Sequence, residues 1–499
     1  MELGTLISLA IYFLVMLGIG VYSYRVSAND VSGYMLGGRN LSPSVTALSA
    51  GASDMSGWML MGLPGAMYLS GISSSWIAIG LVIGAYLNYR VVAPRLRVYT
   101  ELANDAVTIP DFLEKRFNDK TRLLRLLSAV VIILFFTLYT SSGVVAGGKL
   151  FESAFGMSYY TGLYVTAGVV VAYTVFGGFL AVSTTDFVQG CIMFVALILV
   201  PVVALTEVGG ITEVNTLVSG VDPTLLGLFT GTTLLGIISA MAWGLGYFGQ
   251  PHIIVRFMAI RSLKDISTAR HIGMSWMIVT IIGALATGLV GLAYVQKTGM
   301  ELADAETIFI VLSQTLFHPL IAGFLLAAIL AAIMSTISSQ LLVTSSSLTG
   351  DFYHMFVRRQ ASQNELVTVG RISVVIVALM AIFLAYDRDS SILSLVGNAW
   401  AGFGAAFGPV IILSLYWKRM TLAGALSGML VGAATVLFWI YAPITINGES
   451  LGSLMYEIVP GFILCTITIL MVSRFTTPPA EAITEQFDAM QQLIKPMAK

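Results

Sequence analysis

The sequence predicts an all-α protein that crosses a membrane about 13 times, and three observations support this fold class. Hydrophobic residues make up 57% of the 499 residues and charged residues only 10%, which is not the composition of a water-soluble surface. Apolar stretches of the length that a transmembrane helix needs recur along the whole chain. Lysine and arginine fall between these stretches in a pattern that fits one membrane orientation. We therefore expect a multi-pass protein embedded in a lipid bilayer.

Thirteen apolar stretches are candidates for spanning helices, and the segments between them are short. They cover about residues 6–24, 45–68, 76–89, 126–147, 160–176, 187–205, 228–255, 274–295, 320–343, 372–386, 392–417, 422–441 and 455–472. We expect a single membrane domain over residues 1–473 and a tail over residues 474–499.

The positions of the basic residues predict the orientation of the chain. With the N-terminus outside, 22 of the 25 lysines and arginines lie in cytoplasmic segments, and only Lys149, Lys297 and Arg388 lie outside. Basic residues are retained on the cytoplasmic side of short loops, and a missed or invented span would invert every later loop. The agreement therefore supports an odd number of spans and a cytoplasmic C-terminus.

Several classes of function are excluded or disfavoured by the sequence. A net charge of −1 provides no basic face for nucleic acid. The chain contains no HExxH or GxSxG motif, and Gly148-Lys149 is followed by Leu150 rather than by the Ser or Thr of a phosphate-binding loop. We therefore expect no enzymatic activity, and nothing in the sequence indicates an obligatory protein partner.

The tail is too short for a signalling or nucleotide-binding domain. It carries Ile483, Phe487, Met490 and Leu493 at helical spacing. This spacing is compatible with an interfacial helix on the cytoplasmic leaflet, and a partly ordered tail is the alternative.

One acid lies in the middle of the second span, where an aspartate costs about 2.5–3.5 kcal/mol on insertion scales. This is Asp54, in the segment Leu48 to Trp58. No lysine or arginine is predicted deep in a span, so a mobile cation is the natural counter-charge. Alternatively, Asp54 caps a helix that is broken at the turn-prone residues around it. Both interpretations are compatible, because broken backbone at membrane depth is tolerated around a cavity or inside protein.

The seventh span contains a second interruption, between Trp243 and Pro251. Gly244, Gly246 and Gly249 weaken the helix there, and Pro251 removes a backbone donor. Interruptions in the second and seventh spans predict an inverted repeat of five plus five helices with a site at the midplane. The repeats would cover about residues 42–205 and 226–417, with two further helices at about 420–473. Close helix packing at glycine is the alternative explanation.

The ninth span carries hydroxyl groups near its middle, at Ser335 and Thr336. Hard cations prefer oxygen ligands, and these hydroxyls could join carbonyl groups freed near Asp54. Hydrogen bonds from the hydroxyls to their own helix are the alternative.

Five segments resemble those of the sodium/solute symporter family. They are residues 48–58, 243–252 and 331–340, the loop Leu36-Gly-Gly-Arg39, and the run from Trp400 to Pro409. The resemblance implies thirteen helices in a LeuT-type fold, with spans two to six and seven to eleven as the repeats. It also implies sodium-driven uptake of L-proline, by alternating access, across the plasma membrane of a bacterium.

The resemblance further implies roles for individual residues. It implies sodium coordination by Ala52, Asp54, Met55, Ala332, Ser335 and Thr336, with Asp54 as the essential acid. It implies substrate contacts by Ser56, Gly57, Trp58, Tyr139, Trp243, Tyr247 and Pro251. It implies a role in coupling or in the ion path for Arg39 and Asp186.

The residues alone leave the solute open. A sodium symporter for another amino acid, a carboxylate or a sugar is the main alternative. A channel would need a continuous lined pore, and a membrane sensor would need an appended domain, so both are less favoured.

Overall fold

The computed structural model describes residues 2–26 and 31–495, and almost all of them are helical. Within these residues, ten helices are long and apolar enough to cross a membrane. They are Leu3–Ser23, Trp58–Leu102, Leu123–Phe155, Gly178–Val208, Asp265–Thr298, Pro319–Val357, Gln363–Leu384, Ile392–Tyr416, Leu422–Tyr441 and Ile458–Phe475. Two shorter apolar helices, Leu234–Gly249 and Ala305–Leu316, accompany them. The prediction of an all-α, multi-pass membrane protein is confirmed.

Breaks and junctions explain how ten continuous helices correspond to thirteen predicted spans. The second and third spans are joined through the 3₁₀ segment Gly71–Ser74. The fifth and sixth spans lie in Tyr159–Val208, which is kinked at Gly178. Gly178 has a φ of 58°, and a Cβ there would lie 2.7 Å from the ring of Tyr34, so the kink requires glycine. The seventh span is divided into Leu234–Met241, the 3₁₀ helix Ala242–Gly249, and Pro251–Ala259.

The second span breaks where the sequence predicts it. Its first half is the helix Pro43–Asp54, which begins after Ser42, whose hydroxyl accepts from the backbone N–H of Val45 at 3.4 Å. The helix ends because Met55 has a ψ of 79°, which no helix adopts. After the break, a widened π-helical turn at Trp58–Gly62 leads into Leu63–Ser70.

The ninth span lies at the centre of the molecule. In the most apolar 18-residue stretch of the ninth span, 83% of the residues are buried inside the protein. The corresponding share in the first span is 28%, so the first span lies at the periphery. The helix Pro319–Ser346 packs against Leu3–Val26, Leu123–Phe155 and Tyr159–Val208, and also against the first half of the second span. The broken second span is therefore held against one of the two most buried spans among the described residues.

Short elements connect the spans. They are Val31–Leu36, Gly37–Arg39, Asn88–Val92, Ala93–Leu102, Ile109–Phe117, Ile211–Val221, Pro223–Leu226, Ala305–Thr307, Ile308–Leu316, Ser347–Val357, Leu451–Leu454, and a two-stranded hairpin of Thr445–Ile446 and Glu449–Ser450.

The tail forms the helix Glu481–Ile494, at the spacing that the sequence indicates, and residues 496–499 lie outside the described residues. Its Phe487 and Met490 are buried by protein. The Arg116 guanidinium lies 5.5 Å from the centre of the Phe487 ring, and the Gln486 side chain donates to the carbonyl of Leu102 at 2.8 Å. Burial lowers the pKa of Arg116. These two apolar side chains are therefore covered by the membrane domain itself.

Candidate ion and substrate site

The carbonyl group of Asp54 takes part in an unusual set of hydrogen bonds at the break. In a continuous helix it would accept from the backbone N–H of Trp58. Instead it accepts from the indole N–H of Trp58 at 3.0 Å, from the N–H of Ser56 at 3.0 Å, and from the hydroxyl of Tyr139 at 3.4 Å. The side chains of the predicted substrate residues thus stabilise the broken backbone.

The Asp54 carboxylate joins the two broken spans. It is 1% exposed, and its Oδ2 accepts a hydrogen bond from the hydroxyl of Tyr247 on the seventh span. Its Oδ1 is buried and has no hydrogen-bond partner among the described residues. The carboxylate bonds to Tyr247 and not to Ser335 or Thr336.

Four of the six predicted sodium ligands do come together. The carbonyl of Ala52, in the last turn before the break, accepts from Ser335 Oγ at 2.6 Å and from Thr336 Oγ1 at 3.4 Å. The same hydroxyls donate to the carbonyl of Ala332 at 3.1 and 3.3 Å. Met55, the residue after Asp54, is fully buried. We call Ala52, Ala332, Ser335 and Thr336 the oxygen cluster.

The oxygen cluster suits a hard cation, because it offers only carbonyl and hydroxyl oxygens. Its hydroxyls also bond to their own helix, so the alternative noted from the sequence applies in part. In the part of the chain that the structure describes, no group of three or more His, Cys, Asp or Glu side chains could hold a metal ion.

The predicted substrate residues of the seventh span lie in two different surroundings. The Trp243 ring stacks on Tyr456 at 5.2 Å with an interplanar angle of 22°, and the Tyr247 ring lies edge-on to Trp400 at 5.1 Å. The Trp400 indole donates to the carbonyl of Trp243 at 2.7 Å. Pro251 lines a separate small cavity between the fourth, seventh and ninth spans.

The comparison with known proteins decides the family. Residues 34–432 match the sequence profile described as "Sodium:solute symporter family". The chain belongs to this family. Membership implies sodium coupling, and the matched relatives are named as transporters, so the symporter is not an enzyme.

Close relatives match this symporter along its whole length. The osmoregulated proline transporter OpuE of Bacillus subtilis (strain 168) is 59% identical over 495 residues, 99% of each chain. The high-affinity proline transporter PutP of the same strain is 59% identical over 476 residues, 95% of this chain and 99% of its own. Sodium/proline symporter 2 of Staphylococcus saprophyticus is 56% identical over 496 residues, 98% of this chain and 96% of its own.

Solved structures establish the fold of the symporter. A Na⁺-coupled sialic acid symporter in a substrate-bound, outward-open state matches with a TM-score of 0.81 at 20% identity, covering 96% of this chain and 99% of its own. Mhp1, a nucleobase-cation-symport-1 family transporter in a closed conformation, matches with a TM-score of 0.57 at 11% identity, covering 91% and 98%. The predicted LeuT-type fold is thereby confirmed.

Arg39 connects three segments at the basic end of the symporter. Its guanidinium donates to Asp105 at 2.7 Å, to Thr100 at 3.1 Å, and to the carbonyls of Met258 at 2.9 Å and Ala106 at 2.6 Å. Burial lowers the pKa of Arg39, and the neighbouring Asp105 carboxylate opposes this shift. The loop before the second span is thus tied to the ends of the third and seventh spans.

Asp186 forms a buried ion pair that corrects one expectation. The sequence predicts no lysine or arginine deep in a span, but the Arg256 side chain is fully buried and its Nη2 lies 3.2 Å from Oδ2 of Asp186. Ser49 donates to Asp186 at 2.7 Å, and Arg256 donates to Ser339 at 2.6 Å. Together these contacts connect the second, sixth, seventh and ninth spans, and the other carboxylate oxygen of Asp186, Oδ1, is buried without a hydrogen-bond partner among the described residues.

Three residues at the site were assigned no role from the sequence. Trp400 lies in one of the segments that resemble the family, Tyr456 lies at the start of the predicted last span, and Asn88 is a polar residue near the end of the predicted third span. The only sequence signal for Asn88 is its polarity at membrane depth. Neither Trp400 nor Tyr456 carries a sequence signal for its contact partner, because those partners are distant in the chain.

Proposed function

We propose that the symporter takes up L-proline together with sodium by alternating access. Relatives that are 56–59% identical over nearly the full chain are named as proline transporters or sodium/proline symporters. This likeness favours proline over another amino acid, a carboxylate or a sugar. The membrane domain over residues 1–473 would act as a single transport domain, and residues 474–499 as its cytoplasmic tail.

The observation that carries the proposal is the oxygen cluster at the break of the second span. Ser335 and Thr336 already bind the carbonyl of Ala52 through hydrogen bonds. A sodium ion there would take the lone pairs of these oxygens, together with the carbonyls of Ala332 and Met55. The ion would fix the broken segment against the ninth span, with the charge of Asp54 nearby in the chain.

Sodium binding would in this way complete the substrate site. The N–H groups near Ser56 and Gly57 would face the proline carboxylate, because a helix start favours negative charge. The aromatic side chains would enclose the apolar ring and orient it by their polar tips. They are Trp58, Tyr139, Trp243 and Tyr247, with Pro251 on the inner side.

Arg39 and Asp186 would couple the site to the cytoplasmic end. Their hydrogen bonds join spans that have to separate when the inner side opens. The N-terminus would lie outside and the C-terminus in the cytoplasm, in the inner membrane of a bacterium, with no nucleic acid and no obligatory protein partner involved.

The test uses purified protein in proteoliposomes and labelled L-proline. We expect accumulation under an inward sodium gradient, and Asp54→Asn should abolish the stimulation by sodium. Asp222→Asn, the same substitution at an exposed loop position, is the control. An Asp54→Asn variant that still accumulates proline would contradict the site.

Competition identifies the substrate. Unlabelled proline should displace labelled proline, whereas sugars and carboxylates should not. If excess unlabelled proline fails to displace the label, the substrate proposed here is wrong, although the family stands.

A further inference from the structure

A small cavity lies beside Asp54, and no residue of the oxygen cluster lines it. Residues of the second, third, seventh and eighth spans line it, among them Asp54, Met55, Asn88 and Tyr247. Its volume is about 30 Å³, while one water molecule needs ~10–15 Å³. The cavity therefore has room for an ion or for one or two water molecules, and not for an amino acid.

Two of the residues that line this cavity carry unpaired polar atoms. Asn88 is 1% exposed, and neither its Oδ1 nor its Nδ2 has a hydrogen-bond partner among the described residues. The Oδ1 of Asp54 is likewise buried and unpaired. The hydroxyl of Tyr247 donates a hydrogen bond to Asp54, and the lone pairs of its oxygen remain available to a ligand. Buried polar groups are nearly always bonded, so this concentration of free oxygens indicates a ligand.

The backbone supports this interpretation. The third span widens into a π-helical turn at Asn88–Val92, and such turns occur frequently at functional sites. The turn begins at Asn88, a residue that lines the cavity.

The charge of the cavity selects a cation. Asp54 is its acidic residue, and none of the described residues that line it is Lys, Arg or His. A carboxylate, an amide oxygen and a phenol oxygen are ligands that hard cations accept. The oxygen cluster, in contrast, is built from uncharged groups.

We propose that Asn88 and Asp54, with Tyr247, form a sodium-binding position distinct from the oxygen cluster. The proposal rests on the sodium-coupled function proposed above and adds Asn88 as a ligand. The ion at this position neutralises Asp54 directly.

The test measures binding of ²²Na⁺ to the purified full-length protein without substrate, and then proline uptake at saturating sodium. Asn88→Ala should raise the half-saturating sodium concentration at least tenfold and leave the KM for proline at saturating sodium within twofold. Asn88→Asp keeps an oxygen ligand and should retain sodium binding. Thr287→Val, a buried substitution in the eighth span whose hydroxyl donates to its own helix at 2.7 Å, is the matched control.

The results separate this proposal from the proposed function. If the wild-type protein shows no sodium stimulation, the proposed function fails. If the wild type is stimulated but Asn88→Ala binds sodium normally, the Asn88 position is wrong. A change in the KM for proline with unchanged sodium binding would assign Asn88 to the substrate and also overturn the proposal. Retained proline binding by Asn88→Ala at saturating sodium shows that the variant is folded.

Discussion

The buried pair of Asp186 and Arg256 provides a quantitative prediction. Both side chains are 0% exposed and 3.2 Å apart, a distance at which two unit charges attract by about 5 kcal/mol at an effective dielectric constant of ~20. Removing one partner leaves the other charge buried and unpaired, which costs about 3–5 kcal/mol. Arg256→Met and Asp186→Asn should each destabilise the protein by this amount, whereas the double variant should be close to the wild type.

The assay is a double-mutant cycle on the unfolding free energy in detergent, followed by uptake in proteoliposomes. Because Asp186 is proposed to take part in coupling, the double variant should recover stability without recovering full sodium-driven uptake. The predicted interaction is wrong if the double variant is destabilised by the sum of the two single effects, since the charges would then not be interacting.

Three further predictions concern other contacts. Tyr456→Leu removes the ring stacked on Trp243, a contact worth about 0.5–1.5 kcal/mol. The KM for proline should therefore rise about two- to tenfold in this variant, whereas the KM of Tyr456→Phe should stay near that of the wild type. Equal KM values for both variants would contradict this prediction. Arg39→Lys keeps the charge but loses the forked guanidinium that reaches four partners. This variant should lower the maximal uptake rate at least tenfold. Near-normal uptake would show that the charge alone suffices. Phe487→Ala should destabilise docking of the tail by about 3 kcal/mol, since Phe487 is 1% exposed. Limited proteolysis should then cleave the tail of this variant faster than the tail of a Gln492→Ala control. Equal cleavage rates would argue against docking.

The features that could be predicted from the sequence are polar residues in apolar surroundings. Asp54 stands out because a membrane span excludes acids, and the break that surrounds it lies where the turn-prone residues are. Ser335 and Thr336 could be selected by their depth in the ninth span, and they contact the carbonyl of Ala52. The spans and breaks follow from composition because the bilayer sets helix length and backbone bonding.

The features that could not be predicted depend on contacts between distant segments. Arg256 lies 70 residues from Asp186, and a basic residue near a span end indicates a loop when its partner is unknown. The stacking of Tyr456 on Trp243 joins the last span to the seventh, and Tyr456 lies outside both predicted repeats, so their symmetry does not predict this contact. The apolar face of the tail helix has the same residue spacing whether it contacts lipid or protein. Only its packing partner distinguishes a lipid-facing helix from a protein-covered one.

The most direct test of the central claim is the steady-state proline accumulation that a defined sodium gradient sustains. One sodium ion crossing about 100 mV provides ~2.3 kcal/mol, and a tenfold concentration gradient adds ~1.4 kcal/mol. At one sodium per proline, proteoliposomes should reach an accumulation of several hundredfold, which collapses when sodium is replaced by potassium. Accumulation that persists without sodium, or proline that only equilibrates across the membrane under the full gradient, would contradict sodium-coupled symport.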